Sequence, residues 1–176
     1  MRIISGSLKG RKILDPKDLN TRPLKDLTKE SIFNVISHSN KLNVKLGNSN
    51  ILDLFSGVGS FGIECLSRGA KEVIFIENYS EALLILKKNL VNLKSIFNYK
   101  IIEKDIYDEY IFNNIDKRFD IIFLDPPYKN KNLISILEKI QTNKILGNNG
   151  IIIVHRHKNE KSTFPKNFEI IEEKKY

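Results

Sequence analysis

Ile51-Leu52-Asp53-Leu54-Phe55, followed at once by Ser56-Gly57-Val58-Gly59-Ser60-Phe61-Gly62, reads as a buried strand emptying into a glycine-rich turn and then a helix. At such a junction glycine lets the backbone approach a ligand closely, and the first helical turn offers unpaired N–H groups. A nucleotide-like molecule suits it. Gly57, Gly59 and Gly62 satisfy the G-x-G-x-x-G spacing of dinucleotide sites, with Glu77 about 20 residues on, at the end of the next strand. Asp53 argues the other way. A carboxylate at the strand's C-terminal end would repel a pyrophosphate, and would instead accept hydrogen bonds or pair with a cationic ligand.

Outward from this junction, short β-branched runs alternate with segments of helical period, the pattern of βαβ units on a mostly parallel sheet. Strands are expected at Ile51–Phe55, Glu72–Glu77, Lys100–Glu103, Phe119–Leu124 and Gly150–His155. Helices are expected at Gly59–Arg68, Ser80–Leu93, Asp105–Asn114 and Leu133–Asn143. Ahead of them, Arg2–Ile4 and Arg11–Leu14 flank Gly6 and Gly10 as a small hairpin, Leu24–Ser39 reads as a helix, and Lys41–Asn50 as a linker. The expected architecture is α/β and Rossmann-like, with helices on both faces. An N-terminal extension, residues 1–40, packs on a core domain of residues 41–176.

Length and composition set limits. A chain of 176 residues can bury the core of one domain without disulfides or metal. Cys65 is the sole cysteine, which excludes an intramolecular disulfide, and its helical apolar context suggests a buried small hydrophobe. No apolar run approaches the roughly 20 residues of a membrane helix, and the basic start carries no secretory apolar stretch; the expectation is a cytoplasmic protein without membrane contact. Lys and Arg total 29 against 21 Asp and Glu, a net charge of +8 that suits a polyanionic partner. The excess is concentrated: residues 1–29 hold eight basic side chains against Asp15, Asp18 and Asp26.

The Asp-x-x-x-Gly-x-Gly form, with an acidic residue closing the next strand, resembles the S-adenosylmethionine site of class I methyltransferases. That resemblance implies a seven-stranded type of sheet and a cofactor set of Asp53, Phe55, Gly57, Gly59, Glu77, Asn78, Asp105 and Ile106. The Gly57–Gly59 backbone would flank the methionine part, Glu77 would take the ribose hydroxyls, and Asp105 would meet the adenine amino group.

Asp125-Pro126-Pro127-Tyr128, directly after the fourth strand, is the most specific feature of the chain. Two consecutive prolines fix φ and supply no N–H, so the turn presents acceptors. An exocyclic amine is a poor nucleophile because its lone pair is conjugated with the ring. The Asp125 carboxylate and the Pro126 carbonyl could hold both amino protons while the nitrogen attacks a sulfonium methyl, and Tyr128 could stack on the base. The same tetrapeptide serves DNA-adenine and RNA-guanine amino-methyltransferases.

The N-terminal extension separates these. Met1-Arg2-Ile3-Ile4-Ser5-Gly6, Lys9-Gly10-Arg11-Lys12, Arg22-Pro23 and Lys29-Glu30-Ser31-Ile32-Phe33-Asn34 resemble the opening of the RsmD family, and Asp53–Gly59 and Leu66-Ser67-Arg68-Gly69-Ala70 continue the match. The resemblance implies transfer of a methyl group to guanine N2 in 16S ribosomal RNA, free or in an assembling small subunit, by a monomer. Arg2, Lys9, Arg11, Lys12 and Arg22 would supply phosphate contacts. The chain departs from the family pattern at Leu24 and Leu27, where polar or basic residues are usual, and at Val154-His155-Arg156-His157-Lys158, which replaces an acidic segment. It also ends where relatives continue into a last strand, so the final strand is expected to be incomplete. His155 and His157 lack a further ligand set for a metal. Other readings of the residues are a DNA adenine-N6 or other amino-methyltransferase, a nicotinamide-dependent oxidoreductase and a noncatalytic RNA-binding module.

Overall fold

Five short strands make the sheet, and the three central ones are its most deeply buried. The computed structural model describes residues 1–16, 24–113, 115–127, 132–156 and 164–175. In chain order the elements are α1 (Asp26–His38), β1 (Asn50–Leu54), α2 (Ser60–Ser67), β2 (Glu72–Glu77), α3 (Ser80–Asn92), β3 (Tyr99–Glu103), β4 (Phe119–Leu124), α4 (Leu133–Thr142) and β5 (Leu146–Val154). All strands are parallel, in the order β3-β2-β1-β4-β5. The order reverses at β1 and β4, so the ends of these two neighbours form the crevice where open α/β sheets bind ligands.

The pleat divides the core. Ile51, Val73, Phe75, Ile121 and Phe123 point to the side covered by α1, α2 and α3, where Phe33, Phe61, Ile63, Leu86 and Leu90 meet them. Leu52, Leu54, Ile74, Ile76, Ile122 and Leu124 point to the other side, closed by Leu133, Ile136, Leu137 and Ile140 of α4. Because both faces of the central strands β1, β2 and β4 are covered, these read as nearly continuous apolar runs and not as alternation.

Every residue of α2 is buried. Its sequence carries no polar face because it lies between the sheet and the N-terminal segment, which covers what would otherwise be its solvent side. That segment is held by buried polar side chains. Glu64, fully enclosed, accepts the Ile4 N–H at 2.8 Å and the Ser5 N–H at 2.9 Å. Ser67 Oγ accepts the Leu8 N–H at 3.0 Å and donates to the Ser5 carbonyl at 2.6 Å. Asn89 of α3 accepts the Leu14 N–H at 2.8 Å while its amide donates to the Val58 carbonyl at 3.0 Å. An aromatic column adds apolar contact: Phe33 of α1 stacks on Phe61 at 5.2 Å, and Phe61 on Phe123 at 4.0 Å.

Three expectations from the sequence are corrected. The expected helix Asp105–Asn114 is, over its described residues 105–113, a chain of turns: Asp105 Oδ1 accepts the Tyr107 N–H and Asp108 Oδ1 the Tyr110 N–H, each at 2.9 Å. Asp side chains compete with the helical ladder for nearby amides, and here they win because Lys139 Nζ also takes the Tyr107 and Asp108 carbonyls. The N-terminal hairpin is reduced to one antiparallel bridge between Arg2 and Lys12. Residues 41–50 are no free linker, since Val44 joins the core. Among the described residues the sheet has five strands, and residues 164–175 carry no strand, with Phe164 and Phe168 packed against the α4 side. No helix among them is long and apolar enough to cross a membrane.

Candidate active site

The glycine loop is shaped by different demands at each glycine. Gly59 is the N-cap of α2 at φ 87°, and a Cβ there would stand 2.5 Å from Leu86 Cδ1. Gly62 sits where α2 crosses β2, and a Cβ would stand 2.3 Å from Phe75 Cε1. Phe55, a residue with a side chain, also takes a left-handed φ of 60°, a strained conformation of the sort that collects at ligand sites.

The glycine amides are already engaged. Gly57 N–H donates to Glu77 Oε2 at 2.7 Å, Gly59 N–H to the Ser56 carbonyl at 2.8 Å, and Gly62 N–H to Asp53 Oδ2 at 2.9 Å. A pyrophosphate would find none of these three donors free and two carboxylates beside it. The dinucleotide reading of the G-x-G-x-x-G spacing therefore loses its physical basis.

Those carboxylates favour a cation. Asp53 is 1% exposed, and burial, helped by the negative charges of Asp125 and Glu77, pushes its carboxyl well above the ordinary 3.8 against the opposing Gly62 hydrogen bond. A ligand bearing ammonium or sulfonium charge would relieve this congestion, so the donor set fits S-adenosylmethionine. Glu77 Oε1 accepts the N–H groups of Asn78 and Tyr79, both at 2.9 Å. With two lone pairs per oxygen, Oε1 is filled and Oε2 keeps one acceptor position for a ribose hydroxyl. Asp105 and Asn78 are exposed, Ile106 is buried, and Phe55 lies 6.3 Å from Tyr107 ring to ring.

Asp125 and Pro126 follow β4 on the strand next to β1, and the two turns open into one groove of about 2090 Å³. Asp53, Phe55, Gly57, Glu77, Asn78, Asp105 and Ile106 border it together with Asp125, Pro126 and Pro127; Gly59 does not. Small-molecule pockets occupy roughly 300–1,000 Å³, so the groove has room beyond a cofactor for part of a macromolecule. It continues along α1, β5 and residues 164–175. Tyr128, Arg22 and His157 lie outside the described residues.

Of the basic residues singled out from the sequence, the four described ones are not in the groove. Arg2, Lys9, Arg11 and Lys12 are exposed, but Arg11 Nη1 lies 3.5 Å from the Leu93 carbonyl at the C-terminal end of α3, the end of the sheet away from Asp125. Arg2 Nε lies 3.9 Å from Asp26. Lys29 is fully buried, its Nζ donating to the Arg2 carbonyl at 2.7 Å and standing 3.7 Å from Glu64, so it contributes nothing to a surface patch. Lys25 and Lys104, which sequence reasoning missed, do border the groove. A second missed feature is His155, whose Nδ1 lies 2.8 Å from Asp125 Oδ1.

The family model described as Conserved hypothetical protein 95 matches residues 1–176. Among curated relatives, ribosomal RNA small subunit methyltransferase D of Buchnera aphidicola from Acyrthosiphon pisum is 34% identical over 172 residues, covering 98% of this chain and 86% of the relative. The protein of that description from Haemophilus influenzae is 34% identical over 175 residues, covering 99% and 88%. A solved structure described as a methylase from Haemophilus influenzae superimposes with a TM-score of 0.75 at 32% identity, covering 99% of this chain and 92% of that one. One described as an Escherichia coli methyltransferase gives 0.77 at 28% identity, covering 96% and 88%.

Proposed function

The chain belongs to the family of conserved hypothetical protein 95, the RsmD family, and from that premise we propose that it transfers a methyl group from S-adenosylmethionine to the exocyclic N2 amine of a guanine in 16S ribosomal RNA. The observation that carries the reading is the shared groove: the cofactor loop after β1 and the Asp125-Pro126 turn after β4 end side by side on neighbouring strands.

When bound, S-adenosylmethionine supplies an electrophilic methyl on a sulfonium. Asp53, Glu77 and the Gly57 loop would hold it, with Phe55 and Ile106 beside the adenine and Asp105 at its edge. No donor among the described residues reaches the Pro126 carbonyl, which leaves it to accept one proton of the target amine. The Asp125 carboxylate accepts the other. Held between two acceptors, the nitrogen is turned with its lone pair toward the methyl, and orientation of this kind is a large part of the rate in a bimolecular transfer. Tyr128 stacks on the base. The extension of residues 1–40 places the RNA, with Arg2, Lys9, Arg11, Lys12 and Arg22 on phosphates. The protein acts as a monomer in the cytoplasm.

Nucleoside analysis of 16S RNA after incubation with the protein and S-adenosylmethionine tests the assignment. N2-methylguanosine is expected; N6-methyladenosine would move the chain to the adenine-specific reading, and an unmodified RNA would overturn it.

A further inference from the structure

Two prolines fix the backbone after Asp125, but they leave its own side-chain torsions free. An acceptor on a turn at the edge of a groove is useful only if its lone pairs point at the target, and the chain supplies a group that fixes them. β4 and β5 pair in the register Leu124 to Val154, so the next residues on each strand, Asp125 and His155, are brought side by side. The ladder continues far enough to hold them, with the His155 N–H donating to the Leu124 carbonyl at 2.9 Å. His155 Nδ1 then lies 2.8 Å from Asp125 Oδ1, with both side chains about one quarter exposed and both bordering the groove.

We propose that His155 is a positioning residue for the methyl transfer, donating Nδ1–H to Asp125 Oδ1 so that Oδ2 is aimed at the target amine. The inference rests on the function proposed above. An ionised carboxylate can only accept, so Nδ1 must carry the proton of this pair whether the imidazole is neutral or cationic. The neutral ring then keeps its lone pair on Nε2, away from the carboxylate. The strand ladder needs only the His155 backbone, which leaves the imidazole ring without a structural duty in that ladder. A displaced acceptor of about 1 Å costs on the order of 10²-fold in rate, so the loss should fall on turnover and not on binding.

The test uses the full-length protein, labelled S-adenosylmethionine and 16S RNA, with S-adenosylhomocysteine titrated by calorimetry. His155→Leu keeps bulk and loses the donor; it is expected to lower kcat by about 10–100-fold, leaving the RNA KM and S-adenosylhomocysteine affinity unchanged. His155→Asn places an amide N–H where Nδ1 stood and should recover most of that rate. Both should melt within a few degrees of wild type, and histidine side-chain nitrogen spectra should show a protonated Nδ1 that changes on Asp125→Ala. An unaltered kcat in His155→Leu, a loss confined to KM, or an equal loss in the two variants overturns the positioning role alone. A wild-type protein that binds S-adenosylhomocysteine but leaves RNA unmethylated overturns the function and this role together, even with the histidine pairing intact.

Discussion

Glu64 is expected to be the most sensitive polar position in the fold, and Glu64→Gln isolates its charge from its size. The carboxylate accepts the Ile4 and Ser5 amides, receives Arg68 Nε at 2.8 Å and faces Lys29 Nζ at 3.7 Å, with no exposure to water. Glutamine keeps one acceptor oxygen but turns an NH2 toward a neighbour that is itself a donor, leaving one amide unsatisfied at about 1–3 kcal/mol. Removing one member of a buried ion pair costs about 3–5 kcal/mol, a figure discounted here because Lys29 retains Asp26 and the Arg2 carbonyl. The two effects share partners and do not add fully. A net loss of about 3 kcal/mol follows, or roughly 6–12 °C in Tm for a chain of this size.

Burial holds Lys29 below the ordinary 10.5, with Glu64 and Asp26 opposing. Without Glu64 the folded value falls further, so a charged Lys29 costs the variant more. A lysine depressed in the fold releases its proton there first, and that cost vanishes as pH rises from the folded value toward 10.5. The stability gap between variant and wild type should therefore narrow on the alkaline side. Denaturant unfolding at a series of pH values, with amide exchange at Ile4 and Ser5, reads both effects. A variant within 1 kcal/mol of wild type whose two amides remain protected would show that the Glu64 charge does not hold the N-terminal segment.

Asp53→Asn keeps an oxygen for the Gly62 N–H and removes a crowded charge, so the free protein should hold or gain stability. Its affinity for S-adenosylmethionine should fall about 30-fold, roughly 2 kcal/mol. Because the Asp53 carboxyl is raised, wild-type affinity should climb with pH above 3.8 as the carboxylate forms, and the variant should be flat; calorimetry across pH checks both. Gly62→Ala gains about 1 kcal/mol of helix propensity but forces a methyl against the fully buried Phe75, an overpacking cost of about 1–3 kcal/mol; a net loss is expected on thermal melting, and a stabilised variant would contradict the packing. Arg11→Gln with Lys12→Gln should lower RNA affinity and reduce the salt slope by about 0.7–0.9 for each phosphate that is no longer neutralised. An unchanged slope would mean that the RNA does not reach the far end of the sheet.

The parallel sheet was legible because its strands are covered on both faces and carry long β-branched runs: Glu72–Glu77 and Phe119–Leu124 stand where the pattern put them. The turn chain at 105–113 was not, because its apolar spacing mimics a helix while Asp105 and Asp108 spend their side chains on neighbouring amides. The glycine loop and the Asp125 turn border one groove, as their places on neighbouring strands require. What the sequence could not reveal was which charges are spent inside. Lys29 counts toward the basic excess yet lies buried against Glu64, whose place inside Ile63-Glu64-Cys65-Leu66 was the available signal. The Asp125–His155 pair depends on strand register, which becomes visible only when β4 and β5 are side by side.

If the methyl donor and the target base meet at Asp125, one experiment separates holding from reacting. Asp125→Ala should bind S-adenosylhomocysteine with near wild-type affinity and retain RNA binding, while label transfer from S-adenosylmethionine to 16S RNA falls to background. Transfer at the wild-type rate would remove the Asp125 carboxylate from the reaction.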